Sequence, residues 1–580
     1  MKKTKLFALA FAALALGACS SDDVIEQKSQ AQWTPEGQGY INLAINLPTQ
    51  TGSRANDQFD DGTIEEYDVK DATLILFADD KVNSAYDLDI NFPPADGTVD
   101  NITTTAKITR QINAIASTDI KALVVLNNNE MFTVSDDGDL QVDGTTMVGK
   151  TLAELNTAVN AQIGNKTWTE YGFLMSNAVL ANAQGGTVAP TNAEASVLVP
   201  IATDKIYDNY NEASLNPAAS IYVERAVSKV TLTAADGNTT EGTALPYTVS
   251  GWTLDNTNNS SNLVREATNF DTWKAYTSSA QAAGVDKYRF VGNAAVGTNI
   301  DGDETYYRVY WGEDRNYTDA PEGSFTTVGG ETVADAALNT NVDGTVARYC
   351  FENTSDLDHM VEQNMTRVIV KATFNGGDDF YIVDNDKDEL WPLEDVKQEV
   401  AARLINEPGF NAWAKTHIVG TLNESDLNVT LSTAAGVCTV TAVTLAEDAN
   451  VIFAEGTTSL PDNVAETANS RIDILFYENG ESYYNVWVNH FGEDGTPWDE
   501  AVTEGTPAEG NIYPGGAPNY LGRWGMLRNN WYDINVIGIK SVGDPIVAEV
   551  TGETIDKKES YCSVEINILS WAKRTQDAEL

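Results

Sequence analysis

Short segments in which apolar and polar residues alternate recur along the chain, separated by clusters of Gly, Asn, Asp, Thr and Pro. Thr73–Phe77, Ala122–Leu126, Lys229–Thr233, Arg367–Ala372 and Asp533–Ile539 are examples, each rich in Val, Ile, Leu or Thr. A period of two puts alternate side chains on one face, so each segment reads as a strand with one buried surface. Helical periodicity is confined to Thr151–Ile163 and to Leu393–Ile405, which stops short of Pro408. The pattern predicts an all-β or mostly β protein with minor helices, built as β-sandwiches. A boundary is expected near Tyr222, because the loop-like stretch Asn209–Ala219 gives way there to Tyr222–Val230. The Asn/Thr/Gly-rich stretches 253–263 and 312–345 read as long surface insertions.

The two ends carry the more specific signals. Near the start, Gly39–Leu47 places Ile41, Leu43, Ile45 and Leu47 on one face of a strand and Asn42, Ala44 and Asn46 on the other. A polar loop with a single Arg follows (Thr51-Gly52-Ser53-Arg54-Ala55), a segment a trypsin-like protease can reach. At the other end Val564, Ile566 and Ile568 repeat the alternation, followed by Trp571 and a polar tail that finishes in Leu580. Two readings stay open on pattern alone: ordinary first and last strands, or a replaceable strand and its replacement.

Ahead of these, a short basic stretch and an apolar run from Leu6 to Leu16 read as a signal peptide, too short for a membrane span. It ends in Leu16-Gly17-Ala18-Cys19, a lipobox, with cleavage expected between Ala18 and Cys19 and lipidation of Cys19, whose thiol can take a diacylglyceryl group, with palmitate as an expected acyl chain. Ser20-Ser21-Asp22-Asp23 resembles the acidic export tag of surface lipoproteins in Bacteroidetes-type bacteria. Localisation at the cell outer membrane and surface follows.

Charge narrows the partners. The 580 residues carry a net charge of -49, and residues 1–54 hold five basic and four acidic side chains, so the acidity lies in the remainder. Such a surface repels nucleic acid and keeps a secreted protein soluble. Apart from Cys19 there are Cys350, Cys438 and Cys562, an odd number that leaves at least one thiol outside any intramolecular disulfide. The three histidines, His359, His417 and His490, lack metal-type spacing and read as surface or capping residues. Asp384–Asp388 has the alternating carboxylates of a calcium loop, but Glu389 stands where the sharp turn needs Gly, so a solvated acidic turn is expected. Trp391, Trp413, Trp487, Trp524 and Trp531 read as core packing. No metal, cofactor or catalytic constellation is expected.

Seven stretches in order give the chain a family resemblance: the lipobox; Gly52–Ala55; Lys121–Asn127; Val223–Val230; Tyr483–Asn489; Arg528–Tyr532; and Ser563–Trp571. Together they make it similar to the major-subunit family of Bacteroidales short fimbriae, the fimbrillin-like type V pilins. The resemblance implies two transthyretin-like, immunoglobulin-like Greek-key sandwich domains and delivery as a lipoprotein. It implies cleavage between Arg54 and Ala55 by a trypsin-like protease, release of the strand Ile41–Leu47, and refilling of its groove by a donor strand within Val564–Leu580 of a neighbour. The organisation expected is a signal peptide (1–18), a lipidated propeptide (19–54), sandwich domains at 55–221 and 222–559, and a donor segment (560–580). Partners would be identical subunits in a head-to-tail filament, anchor and tip subunits, and the protease, with host or bacterial surface ligands left open. The rival readings are a non-polymerising surface lipoprotein, such as an anchor or glycan-binding protein, and a secreted hydrolase, which needs a convergent carboxylate pair.

Overall fold

The computed structural model describes residues 30–47, 66, 68–90, 105–163, 168–185, 193–235, 238–241, 244–276, 289–330, 332–334, 337–491, 496, 520–557 and 562–570. The first unit comprises β1 (Gln38–Asn46), β2 (Ala72–Ala78), β3 (Lys81–Asp87), β4 (Thr105–Asn113), β5 (Ile120–Leu126), β6 (Met175–Asn177) and β7 (Ala219–Arg225). They run in the order β3-β2-β5-β6-β7-β1-β4. The path folds on itself at β7, whose first residues pair with β1 in parallel while Val223–Arg225 pair with β6 in antiparallel. One core fills the space between the two halves, taking Ile41, Leu43 and Ile45 from β1 and Leu74 and Leu76 from β2. Val124 and Leu126 of β5 and Ile112 of β4 complete its centre. These are alternate positions of their strands, as the period of two requires.

The other face of β2 and β5, carrying Ile75, Phe77, Leu123 and Val125, packs under helix α1 (Leu152–Ile163) through Leu155 and Val159. That cluster continues into Ala226, Val227, Leu263 and Phe351 of the second unit, so the two units share apolar packing. A short helix, α2 (Tyr210–Leu215), lies over the outer side of β1, capped by Asn209, whose side chain accepts from the Glu212 N–H.

The second unit is a sandwich of two four-stranded sheets. One runs β10 (Arg348–Phe351), β8 (Val227–Ala234), β17 (Asn530–Ile539), β18 (Cys562–Ser570); the other holds β9 (Pro246–Asp255), β11 (Arg367–Phe374) and β16 (Glu481–Trp487), with Asn238–Thr239 beside β9. Val230, Leu232, Trp252, Val368, Val370, Val486, Tyr532 and Ile534 make its core. The expected mostly β architecture is observed, with sandwiched sheets in both units.

Strands β11 and β16 are antiparallel neighbours, yet the chain between them builds a separate lobe. The lobe's sheet runs β12 (Phe380–Val383), β15 (Ile474–Tyr477), β14 (Val437–Leu445), β13 (Leu427–Ala434), beside helices α3 (Leu393–Asn406), α4 (Pro408–His417) and α5 (Val464–Asn469). Its own core includes Val396, Val400, Leu404, Phe410, Val429 and Val440. Helix α4 begins where Glu407 accepts from the Phe410 N–H at 2.6 Å with Pro408 at the first helical position. The helix expected from Leu393 belongs here, in an inserted α/β unit and not as a minor decoration of a sandwich. In the turn after β12, Asp384 pairs with Arg403 at 2.5 Å.

The stretches read as surface insertions are partly buried. Asn258 Nδ2 donates to Asp314 Oδ2 and to the Glu352 carbonyl, both at 2.6 Å. Asn256 Nδ2 donates to the carbonyls of Gln363 at 2.9 Å and Met365 at 3.1 Å. Irregular chain inside a protein must find partners for its backbone, and short amides supply them. Burial, with Glu352 nearby, pushes Asp314 up to about 7. His490, expected at the surface, is buried as well; burial pushes it down to about 3, so the imidazole is neutral and bonded to the Tyr532 hydroxyl at 2.8 Å.

A buried ionic cluster adjoins this network. Arg265 contacts Glu224 at 3.1 Å and Glu352 at 3.5 Å, and Arg528 contacts Glu352 at 2.9 Å. Arg265 also donates to the Val309 and Tyr310 carbonyls. Removing one partner of such a set leaves charge buried without compensation. Arg265→Ala is therefore expected to lower the unfolding free energy by about 3–5 kcal/mol, read as a shift of the urea midpoint; an unchanged midpoint would show that the cluster holds nothing together.

Candidate strand-exchange interface

Strand β1 is built to be buried. Ile41, Leu43 and Ile45 are 0 % exposed and Leu47 is 4 % exposed. It lies between two partners, antiparallel to β4 from Gln38–Asn113 to Asn46–Thr105 and parallel to β7 from Leu43–Ala219 to Asn46–Tyr222. Taking it away would therefore open an apolar trough and two unpaired strand edges at once.

Its outer face is fixed by specific polar contacts. Asn42 Nδ2 donates to the Ser214 carbonyl of α2 at 2.7 Å, and Asn42's own carbonyl accepts from the Ala218 N–H at 2.7 Å. Asn46 Nδ2 donates to Ser220 Oγ and to the Ile221 carbonyl, each at 3.1 Å, while its Oδ1 accepts from the Thr105 hydroxyl at 2.8 Å. Tyr40 meets Tyr210 of α2 edge to face at 6.2 Å.

The segment before β1 takes part too. The Gln32 N–H donates to the Ile206 carbonyl at 3.0 Å, and Tyr40 exchanges backbone hydrogen bonds with Tyr207. A Cβ at Gly39 would stand 2.7 Å from the Trp33 indole and 2.9 Å from Ile206 Cγ2, so only glycine fits between them. The neighbourhood of Trp33 and Ile206 was not visible as a site in the sequence.

Strand β18 is the opposite case. It is an edge strand, antiparallel to β17, with Val564 opposite Val536 and Ile566 opposite Ile534, and a bulge at Val536–Gly538 shifts the register beyond them. Val564 and Ile566 are only half-buried against the second core. Among the described residues no strand follows it. Ala18, Cys19, Arg54, Ala55, Trp571 and Leu580 lie outside the described residues, as does the side chain of Ile568.

One residue that sequence reasoning passed over stands where the chain is described again after 48–65. Glu66 is 1 % exposed, contacts Lys229 at 2.9 Å, accepts from the Tyr349 hydroxyl at 2.5 Å, and its carbonyl accepts from Arg225 Nε at 3.1 Å. No periodicity marks it; a lone acidic residue in a polar stretch carries no sign that it will be buried. Cys350 and Cys438 are buried free thiols, and burial pushes them up to about 12 and about 11. Such thiols are poor nucleophiles. Among the described residues no group of three or more His, Cys, Asp or Glu is placed to hold a metal ion. The chemistry this arrangement offers is strand pairing and apolar burial.

Residues 513–577, which include β18, match the family model described as "Major fimbrial subunit protein type IV, Fimbrillin, C-terminal". Over this segment the match bears out the resemblance drawn from the motifs and supports a fimbrial-subunit role at the cell surface. Among solved structures, the chain is similar to a fimbrilin from Porphyromonas gingivalis (12% identity, 92% of this chain and 99% of that one, TM-score 0.36). It is also similar to a candidate cell adhesion protein from Parabacteroides distasonis (11% identity, 93% and 98%, TM-score 0.36). The fimbrial anchor protein Mfa2 of P. gingivalis matches a smaller part (10% identity, 58% and 78%, TM-score 0.19). Comparison with curated proteins finds no match.

The contrast in burial has a measurable consequence. Leu43→Ala in the unclipped protein is expected to cost about 2–5 kcal/mol, whereas Ile566→Ala, at a half-buried edge, should cost less than half as much. Denaturant titrations of the two variants would show it, and equal losses would mean that β1 is no better seated than β18.

Proposed function

We propose that this protein is the stalk subunit of a cell-surface fimbrium that polymerises by exchange of strands. In this reading it reaches the outer membrane lipidated on Cys19, a trypsin-like protease cuts between Arg54 and Ala55, and the segment carrying β1 leaves. The C-terminal segment of the next subunit then fills the groove. The observation that carries the proposal is the pairing of opposites within one chain: a strand paired on both sides with its inward side chains buried, N-terminal to the polar stretch that carries Arg54, and a half-buried edge strand that ends the described fold. The mature subunit would comprise sandwich domains at 55–221 and 222–559 and a donor segment at 560–580, with anchor and tip subunits and the protease as further partners.

The energetics suit a non-covalent filament. Four aliphatic side chains moved from water into the groove contribute on the order of 6–12 kcal/mol before ordering costs. Main-chain hydrogen bonds to both groove walls add directionality, the mode by which an added strand joins a sheet edge. Donation from one subunit to the next is heterologous, so it propagates as an open filament and does not close.

Arg54→Ala is expected to leave β1 in place and to yield full-length lipoprotein without filaments; electron micrographs showing ordinary filaments would remove processing at this bond. Deleting Val564–Leu580 should give a subunit that folds and is clipped yet does not join the next one. Asp at Ile566 and Ile568 should act almost as the deletion does, because a carboxylate buried without a partner offsets the remaining contacts. Mixing each form with clipped wild-type subunits and following SDS-resistant ladders tests both, and self-polymerisation of the truncated form would place the donor elsewhere.

A further inference from the structure

The terminal strand is a near copy of the strand it would replace. From Gly39 the resident segment reads Gly-Tyr-Ile-Asn-Leu-Ala-Ile-Asn-Leu, and from Ser560 the terminal one reads Ser-Tyr-Cys-Ser-Val-Glu-Ile-Asn-Ile. Tyr, Ile and Asn recur at the second, seventh and eighth places, the inward places from the third onward stay apolar, and a small residue opens both. We infer that the donor segment of a second copy enters the groove in the same direction as β1, with Cys562 in the place of Ile41 and Ile568 in that of Leu47. This rests on the strand-exchange reading above and adds to it a direction, a register and a charge contact.

Each outward place then meets a suitable partner. Asn567 inherits the site of Asn46, between Ser220 Oγ, the Ile221 carbonyl and the Thr105 hydroxyl. Ser563 falls on Asn42, which is 2 % exposed and whose Oδ1 has no hydrogen-bond partner among the described residues. A hydroxyl there can donate to the Ser214 carbonyl as Asn42 does, without adding an amide oxygen that needs a donor. Glu565 falls on Ala44, directly opposite Lys107 of β4 and Ser220 of β7. Lys107 is exposed, and no carboxylate among the described residues pairs with it. The donor thus gains a cross-strand ion pair that the resident strand, with Ala44, does not make. Tyr561 takes the place of Tyr40 beside Tyr210, and Ser560 that of Gly39, where the indole leaves with the clipped segment and Ile206 Cγ2, 2.9 Å from a Cβ there, has to shift slightly.

The alternatives fit less well. Shifting the same direction by two residues, so that Val564 takes the place of Ile41, sets the Glu565 carboxylate in the buried Asn42 site against the Ser214 carbonyl, two acceptors face to face. Reversing the strand with Val564 at Ile45 and Ile568 at Ile41 keeps Glu565 opposite Lys107. It also puts Ser563 in the three-bond site of Asn46, where a hydroxyl cannot reproduce an amide's two donors.

Cross-linking separates these arrangements. In clipped subunits carrying Cys562→Val, Asn567→Cys is paired with Thr105→Cys or with Thr109→Cys, the residues opposite Asn46 and Asn42. After polymerisation and oxidation, the Thr105→Cys pairing is expected to give a covalent ladder on a non-reducing denaturing gel and the Thr109→Cys pairing none. A ladder from Thr109→Cys, or filaments that give no ladder with either, overturns the direction and register. Strand exchange itself fails only if subunits lacking residues 562–580 still polymerise, so the two failures are told apart. The ion pair has its own test in the native-cysteine background. Glu565→Lys should slow polymerisation about tenfold at low salt, and acceptors carrying Lys107→Glu should bring it back to within about twofold of wild type. No recovery would remove the Glu565–Lys107 contact.

Discussion

The first unit depends on the seating of one strand, β1, between β4 and β7. It supplies Ile41, Leu43 and Ile45 to the centre of a core whose other members come from both halves of the folded sheet. Ordinary sandwiches place their first strand at an edge, where its loss exposes one row of backbone groups. Here the loss would expose two rows and the core together. A domain that has lost such a strand is unstable toward any segment able to restore it, and that instability is the driving force the proposed assembly uses.

A groove that is to receive a new strand must hold its walls in place while empty, and the contacts that would do so lie outside it. β7, one wall, continues into Arg225, which reaches the Glu66 carbonyl, while Glu224 of the same strand pairs with Arg265. Glu66 in turn joins the chain ahead of β2 to Lys229 and Tyr349 of the second sandwich. The apolar cluster shared between the units, from Ile75 and Leu123 to Ala226 and Phe351, adds packing to these polar links. In a filament under load, this junction and the exchanged strand would be in series, so the junction has to be at least as firm.

Alternation made the strands legible because a half-buried strand writes its burial into every second residue. Val230, Leu232, Val368, Val370 and Ile534 are buried at the places the pattern marks. The two helices were legible for the same reason, each starting and stopping within a residue or two of the expected place. What pattern did not carry was partnership. Nothing in Gly39–Leu47 says that the strand will run parallel to a segment some 175 positions later, and nothing in Phe380–Tyr477 says that its strands form a lobe of their own. Buried polar residues were hidden by their composition: Asn256, Asn258 and Asp314 sit in stretches that look like surface loops, and only tertiary contact shows that their side chains stand in for backbone partners. The terminal strand was legible as a strand, while its half-burial at a sheet edge, the property that would let it leave, required the fold.

In the proposed assembly the segment Cys562–Ser570 exchanges an edge for the centre of a neighbour's sheet. Hydrogen–deuterium exchange on clipped monomers and on filaments measures this directly. Amides of residues 562–570 are expected to become strongly protected on polymerisation, paired on both sides, and peptides from Gln38–Asn46 to be absent from the filament. Unchanged protection of residues 562–570, with Gln38–Asn46 still present and protected, would contradict it.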